Sequence, residues 1–189
     1  MRVLATGSSG FLLRNALPDS GLDVREYKPE RGVHGVKYIL HFSGPSDCYD
    51  FQNKEAMAHS MIDRTVKMCT LCNKENAKMV FASSLGAVEM RDEYSVYKRA
   101  LEQYIQATCP NHLILRIPRV YGADRQKGLM KRIREGNIRG EDWGNTIKFI
   151  DIEDFKVWFN SVLGEHGVQY YMGDYRTMTI QEIKEFYKL

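Results

Sequence analysis

No apolar run in the chain approaches the roughly 18 residues that a membrane-spanning helix needs. Nor does the start show the basic and then apolar pattern of a signal peptide, because MRVLATGSSG passes directly into a strand pattern. A cytoplasmic protein with no membrane partner is therefore expected. An excess of one charge is also missing. Lys and Arg number 27 against 24 Asp and Glu, a net charge of +3, too small for bulk electrostatics to require nucleic acid or anionic lipid as a partner. Cysteine is scarce. Of Cys48, Cys69, Cys72 and Cys109, the middle two form a C-x-x-C, but no second pair completes a metal-ligand pattern. The pair also falls late in a helical stretch, not at a helix N-terminus where the dipole would lower a thiol pKa. Reduced cysteines and no metal site are expected. Internal repeats and low-complexity tracts are absent.

What is present suffices for one domain with a sizeable core, since the 189 residues are 43% hydrophobic. Residues 2–6 read as a strand and lead at once into Thr6-Gly7-Ser8-Ser9-Gly10-Phe11-Leu12-Leu13 and a short helix to about Ala16. Strand, glycine turn and helix make a phosphate-binding arrangement, in which glycines let the backbone approach the ligand and a helix N-terminus offers unpaired N–H groups. An ordinary tight turn has the same look. Residues 23–28 form a second strand ending in Tyr27-Lys28-Pro29-Glu30-Arg31. In a dinucleotide-binding fold this end meets the adenine-side ribose. Lys28 or Arg31 would pair with a 2′-phosphate, whereas Glu30 would serve a free ribose. About seven residues then separate this strand from the apolar run 36–42, too few for the crossover that parallel neighbours require. The two strands should therefore not be adjacent, and 36–42 should lie beside 2–6.

The stretch 79–102 carries the chemistry. Residues 77–82 are an apolar run of strand length, so Ser83 and Ser84 fall where it ends, and a helical pattern occupies 94–107. Tyr94 and Lys98, four apart, share one helix face. An ammonium held beside a phenol favours the phenolate and makes a general acid/base. A serine hydroxyl across the cleft would fix the same substrate oxygen. By itself Tyr-x-x-x-Lys equally describes two solvated helix residues.

A long helix is expected over 53–74, strands over 112–116, 146–150 and 167–172, and a turn at 118–122. Residues 127–139 read as an amphipathic helix with Lys127, Lys131, Arg132, Arg134 and Arg139 on one side, either a solvated face or a site for a substrate diphosphate. Asp151 reads as the N-cap of a helix to about Leu163, and Thr179 with Glu182 as a capping box.

Together these pieces resemble the extended short-chain dehydrogenase/reductases, in particular their sugar-nucleotide epimerases, dehydratases and reductases. The resemblance rests on five motifs in order: the glycine loop at 6–11, Leu40-His41-Phe42-Ser43-Gly44, the Ser83-Ser84 pair before Tyr94-x-x-x-Lys98-x-x-x-Glu102, Leu115 through Pro118 to Gly122, and Phe149 through Asp154. It implies an α/β Rossmann-like fold, a doubly wound parallel sheet in a single domain. It also implies a small substrate-binding part at about 122–148 and 164–189. Tyr94 would be the acid/base, Lys98 would hold the nicotinamide ribose and tune Tyr94, and Ser84, or Ser83, would hold the substrate oxygen. The dinucleotide would contact Gly7, Ser8, Ser9, Gly10, Phe11, Leu12, Phe42, Ser43, Gly44, Ser83 and Pro118, with Lys28 and Arg31 favouring NADP(H) over NAD(H). The substrate would be a nucleotide sugar. A homodimer is expected through the helices 53–74 and 94–107, with Met57, Met61, Val66, Met68, Leu101 and Ile105 as candidate surface.

The departures from the family are specific. The chain is shorter than most members, and no third strand fits between Lys28 and Val36. Leu13 replaces the loop's third glycine, adding a side chain where the helix should pack closely on the cofactor. Nine residues separate Ser84 from Tyr94, and Ile147 stands where the family often has a diphosphate-binding arginine. A second reading therefore stays open, that of a dinucleotide-binding or interaction protein that keeps the fold without turnover.

Overall fold

The computed structural model describes residues 2–28, 34–44 and 54–189. β1 (Arg2–Thr6) runs through the glycine turn into α1 (Phe11–Ala16), followed by the edge strand β2 (Asp23–Glu26) and by β3 (Tyr38–His41). Next come α2 (Lys54–Glu75), β4 (Lys78–Ser84), a single 3-10 turn at Leu85–Val88, α3 (Glu93–Thr108) and β5 (His112–Ile117). The remainder is β6 (Val120–Tyr121), α4 (Gly128–Arg134), β7 (Thr146–Asp151), α5 (Ile152–Val162), β8 (Gly167–Tyr170), β9 (Arg176–Thr179) and α6 (Ile180–Phe186).

Six parallel strands form one sheet in the order β2-β1-β3-β4-β5-β8. As the short connection required, β2 and β3 lie on opposite sides of β1. The inner strands are apolar almost throughout, the mark of strands covered on both faces. On one face α2 and α3 pack through Met61, Met68, Leu101 and Ile105 against Ile39, Met79, Phe81 and Ile114. On the other, Leu13 and Ala16 of α1 join Phe155, Trp158 and Phe159 of α5 over Val3, Leu40, Val80 and Leu113. The sheet is doubly wound. A second, three-stranded sheet, β6-β7-β9, has β7 parallel to β6 and antiparallel to β9, and its core of Phe149, Met130, Ile133, Ile180 and Ile183 brings α4 and α6 together.

Local chemistry sets the helix starts. Asp92 and Ser95 close a capping box on α3, Asp151 caps α5, and Thr179 with Glu182 caps α6.

Several expectations need correction. The helix read over 127–139 stops at Arg134, because Gly136 adopts φ +69 and the backbone N–H groups of Gly136 and Asn137 turn back onto Ile133 and Arg132. The turn read at 118–122 contains β6, which finds a partner in β7. The short strand β9 was not anticipated. Met61, Met68, Leu101 and Ile105, read as dimer surface, are buried against the chain's own sheet, and Met57 packs partly into the same core. Leu13 is fully buried and faces the sheet, so its side chain lies in the core and not in the cofactor's path. Among the described residues no helix is long and apolar enough to cross a membrane.

Candidate active site

The C-terminal ends of β1, β3 and β4 meet along one edge of the sheet, and the candidate residues gather there. Gly7 follows β1 with φ +75. A Cβ at that position would lie 2.9 Å from the carbonyl carbon and oxygen of Phe42 and from the nitrogen of Ser43. Only glycine fits that conformation and that contact. Gly10, whose Cβ would meet the Gly7 oxygen at 3.0 Å, donates its N–H to that oxygen at 2.9 Å and closes the turn. Ser9 and Gly10 are exposed, Ser8, Phe11 and Leu12 half-buried. The glycine loop thus rests directly on Phe42 and Ser43, bringing together two of the predicted cofactor segments.

His41 locks this junction from below. Its Nδ1 is 2.7 Å from the Thr6 hydroxyl and its Nε2 3.0 Å from the Thr65 hydroxyl. Burial, and then the positive charges of Lys98 and Arg64, push the imidazole down to about 3, so it is neutral.

Tyr94 and Lys98 both face inward from α3, at 9% and 5% exposure. The Lys98 ammonium donates to the Ala82 carbonyl at 2.8 Å and sits 4.8 Å from the Phe81 ring centre and 5.7 Å from that of Tyr94. Burial pushes its pKa down to about 8, against the pull of Glu102. Ser84 ends β4, and its Oγ accepts from the Gly86 N–H at 3.2 Å. A Cβ on Gly86 would lie 3.5 Å from that Oγ and 3.7 Å from Ser95 Cβ, so the turn that holds Ser84 packs against the first turn of α3.

Other predicted residues lie farther along the sheet or inside the core. Ser83, read as a cofactor contact, points to the opposite face of β4 and donates its hydroxyl to Glu102 at 2.5 Å, within the core. Pro118 is buried past the end of β5, and Lys28 is exposed beyond β2. Arg31 lies outside the described residues, as do Pro29, Glu30 and Cys48. The basic face of α4 is largely engaged locally. Arg134 donates to the carbonyls of Ala123 and Arg125, Arg132 to that of Asn137, and Lys131 lies 3.6 Å from Glu135.

Two features escaped the sequence reading. Arg125 donates to the Val120 carbonyl at 2.7 Å and lies over the Phe11 ring, 5.3 Å from its centre, beside the glycine loop. Glu102 was legible only as part of a spacing pattern, yet it anchors a buried ion pair with Arg116 at 2.6 Å.

The fold is that of the NAD(P)-dependent epimerases, dehydratases and reductases. The dTDP-4-dehydrorhamnose reductase of Bacillus anthracis, solved with NADP, superposes with a TM-score of 0.75 at 14% identity, over 100% of this chain and 81% of that one. TunA, an NAD-dependent NDP-hexosamine 5,6-dehydratase, gives 0.74 at 17% identity over 98% and 80%. The Thermus thermophilus UDP-glucose 4-epimerase complexed with NAD gives 0.67 at 19% over 99% and 82%. By sequence, the chain is 28% identical over 141 residues to a UDP-2-acetamido-2,6-beta-L-arabino-hexul-4-ose reductase of Pseudomonas aeruginosa, a match covering 65% of this chain and 36% of the reductase. No family model matches. The resemblance read from the motifs therefore holds in fold from end to end, and the chain spans about a third of the curated reductase's length.

Proposed function

We propose that the chain is an NAD(P)-dependent oxidoreductase of the extended short-chain dehydrogenase/reductase type acting on a nucleotide sugar. Carrying this reading is one juxtaposition: the glycine turn seated on Phe42 and Ser43 shares a sheet edge with the buried Tyr94–Lys98 pair and Ser84. The residues fit a dinucleotide. Gly7 lets the turn pack directly on the backbone of Phe42 and Ser43, and Ser9 and Gly10 leave the outer side of the turn exposed to a diphosphate. The names of the similar proteins, several solved with NADP or NAD, point to the same cofactor and substrate class.

When bound, the nicotinamide supplies hydride transfer at a sugar carbon. Tyr94 takes the proton of the sugar oxygen at that carbon as a phenolate, or returns it as a phenol. Ser84, held at the end of β4 by its bond to Gly86, fixes the same oxygen. Lys98 offers its ammonium to the cofactor ribose and keeps a positive charge beside Tyr94. Lys28 is the exposed cation at the end of β2 that favours a 2′-phosphate, hence NADP(H) over NAD(H). The outward faces of α2 and α3, where Ile62, Val96 and Tyr104 are exposed, are the proposed homodimer surface. A monomeric mass by light scattering at micromolar concentration would rule it out.

The test is turnover of a UDP- or dTDP-linked keto-sugar with NADPH, followed at 340 nm, together with calorimetric binding of NADPH. Binding with turnover supports the enzyme, and binding without turnover of any such sugar supports the non-catalytic dinucleotide-binding reading. Absence of both removes the proposal.

A further inference from the structure

The Glu102 carboxylate is fully buried, one helical turn below Lys98 on α3, and both of its oxygens are occupied. Oε1 accepts from the Ser83 hydroxyl at 2.5 Å and from Arg116 Nε at 3.0 Å. Oε2 accepts from Arg116 Nη2 at 2.6 Å and Arg99 Nη1 at 3.0 Å. Arg116 in turn donates to the Tyr170 hydroxyl. Strands β4, β5 and β8 thus meet α3 at one carboxylate. Burial works against the charged carboxylate, but the bonds from Arg116, Ser83 and Arg99 outweigh it and hold Glu102 below its ordinary range.

Stability alone does not explain such a cluster, because replacing a buried ion pair by apolar groups of similar volume is often neutral or stabilising. Its position beside Lys98 suggests a different use. We propose that the Glu102–Arg116 pair sets the charge state of Lys98, the carboxylate holding the proton on the buried ammonium and the guanidinium limiting that hold. In the low dielectric of the core, a unit charge one helical turn away acts far more strongly than it would in water.

Among the described residues, burial lowers the Lys98 pKa and Glu102 is the charge that opposes it. On α3 Lys98 faces Tyr94, with Arg99 behind Glu102. From β4 it meets only the Ala82 carbonyl and the Phe81 ring. From β3 comes His41, which is neutral and is itself under the charge of the exposed Arg64 of α2. Arg116 approaches from β5, with Tyr170 of β8 beyond it. Because Lys98 titrates at about 8, a modest change in this field decides whether it is charged near neutral pH. The consequence for dinucleotide binding rests on the proposed function, but the coupling itself does not.

The experiment follows the titration of Lys98 directly in the full chain, by NMR of lysine labelled with 13C at Cε, with Lys98→Met identifying the resonance. Glu102→Gln is expected to lower the midpoint and Arg116→Met to raise it, each by on the order of one pH unit. The double variant should return close to the native value. A merely structural role lets water into the core in both variants and raises both midpoints, so a midpoint in Glu102→Gln that rises or stays put overturns the proposal. If Glu102→Gln does not fold, the half-exposed Arg99→Met decides, since it strips one cation from the carboxylate without opening the core. Its midpoint should rise at unchanged thermal stability, and an unmoved midpoint overturns the proposal. Failure of the chain to bind any dinucleotide would sink the functional reading and leave this titration untouched, so the two failures are distinguishable.

Discussion

The two ends of the sheet's functional edge are built in opposite ways. Where β4, α3 and β5 meet, Lys98, Glu102 and Arg116 are all under a tenth exposed and every charge has a placed partner. At the other end β2 is a four-residue edge strand, mostly exposed, that among the described residues pairs only with β1, and Lys28 stands beyond it in solvent. The contrast has a physical basis. Proton transfer needs groups held in a fixed geometry and a low dielectric. A preference for a phosphate needs only a cation within reach, and an exposed cation is worth little.

The contrast is broken most severely by Tyr94→Phe. Turnover should fall about 10²- to 10⁴-fold, while calorimetric affinity for NADPH changes less than about threefold, because only the proton carrier is lost. Full activity in that variant would end the assignment of Tyr94. Next in size is Arg116→Ala, which strands a buried carboxylate and should lower stability by about 3–5 kcal/mol in urea unfolding. The matching change at the open end, Lys28→Ala, should leave the urea midpoint in place. Equal losses at the two positions would erase the distinction.

The junction between the ends is sensitive to acid. His41 is neutral in the fold with a pKa of about 3, against an ordinary 6.5, so protons bind more readily to the unfolded chain between those values. Its contribution is therefore fully present above pH 6.5 and lost as pH falls toward 3, by up to about 1.4 kcal/mol per unit. Urea midpoints at pH 7 and 4.5 should separate for the native chain and draw closer in His41→Asn. The smallest effect is at the β2 end, where Lys28→Ala should reduce the preference for NADPH over NADH by less than about tenfold. Unchanged cofactor ratios would assign the choice to residues outside the described segments.

Much of this was legible in the chain because it depends on short-range spacing. Tyr94 and Lys98 share a helix face whatever packs around them. Asp151 and Thr179 were bound to start helices, and the seven residues before Val36 excluded a crossover, which placed β3 beside β1. What stayed hidden depends on distant contacts. The partners of Glu102, Ser83 and Arg116, come from β4 and β5 and meet it only once α3 lies over those strands. Met61 and Leu101 were read as surface because an apolar stripe does not reveal which side the sheet will take. Strand β9, Arg-Thr-Met-Thr, has too little apolar content to announce itself and exists by pairing with β7.

The central claim is that the glycine turn at 7–10 and the ammonium of Lys98 act on one bound dinucleotide. Calorimetric titration of the native chain and of Lys98→Met with NADPH, NADP, NADH and NAD tests it most directly. The account predicts saturable binding of at least one reduced form by the native chain, weakened about tenfold or more in Lys98→Met. Native protein that takes up none of the four at millimolar concentration, or a Lys98→Met variant that binds as tightly as the native chain, would contradict it.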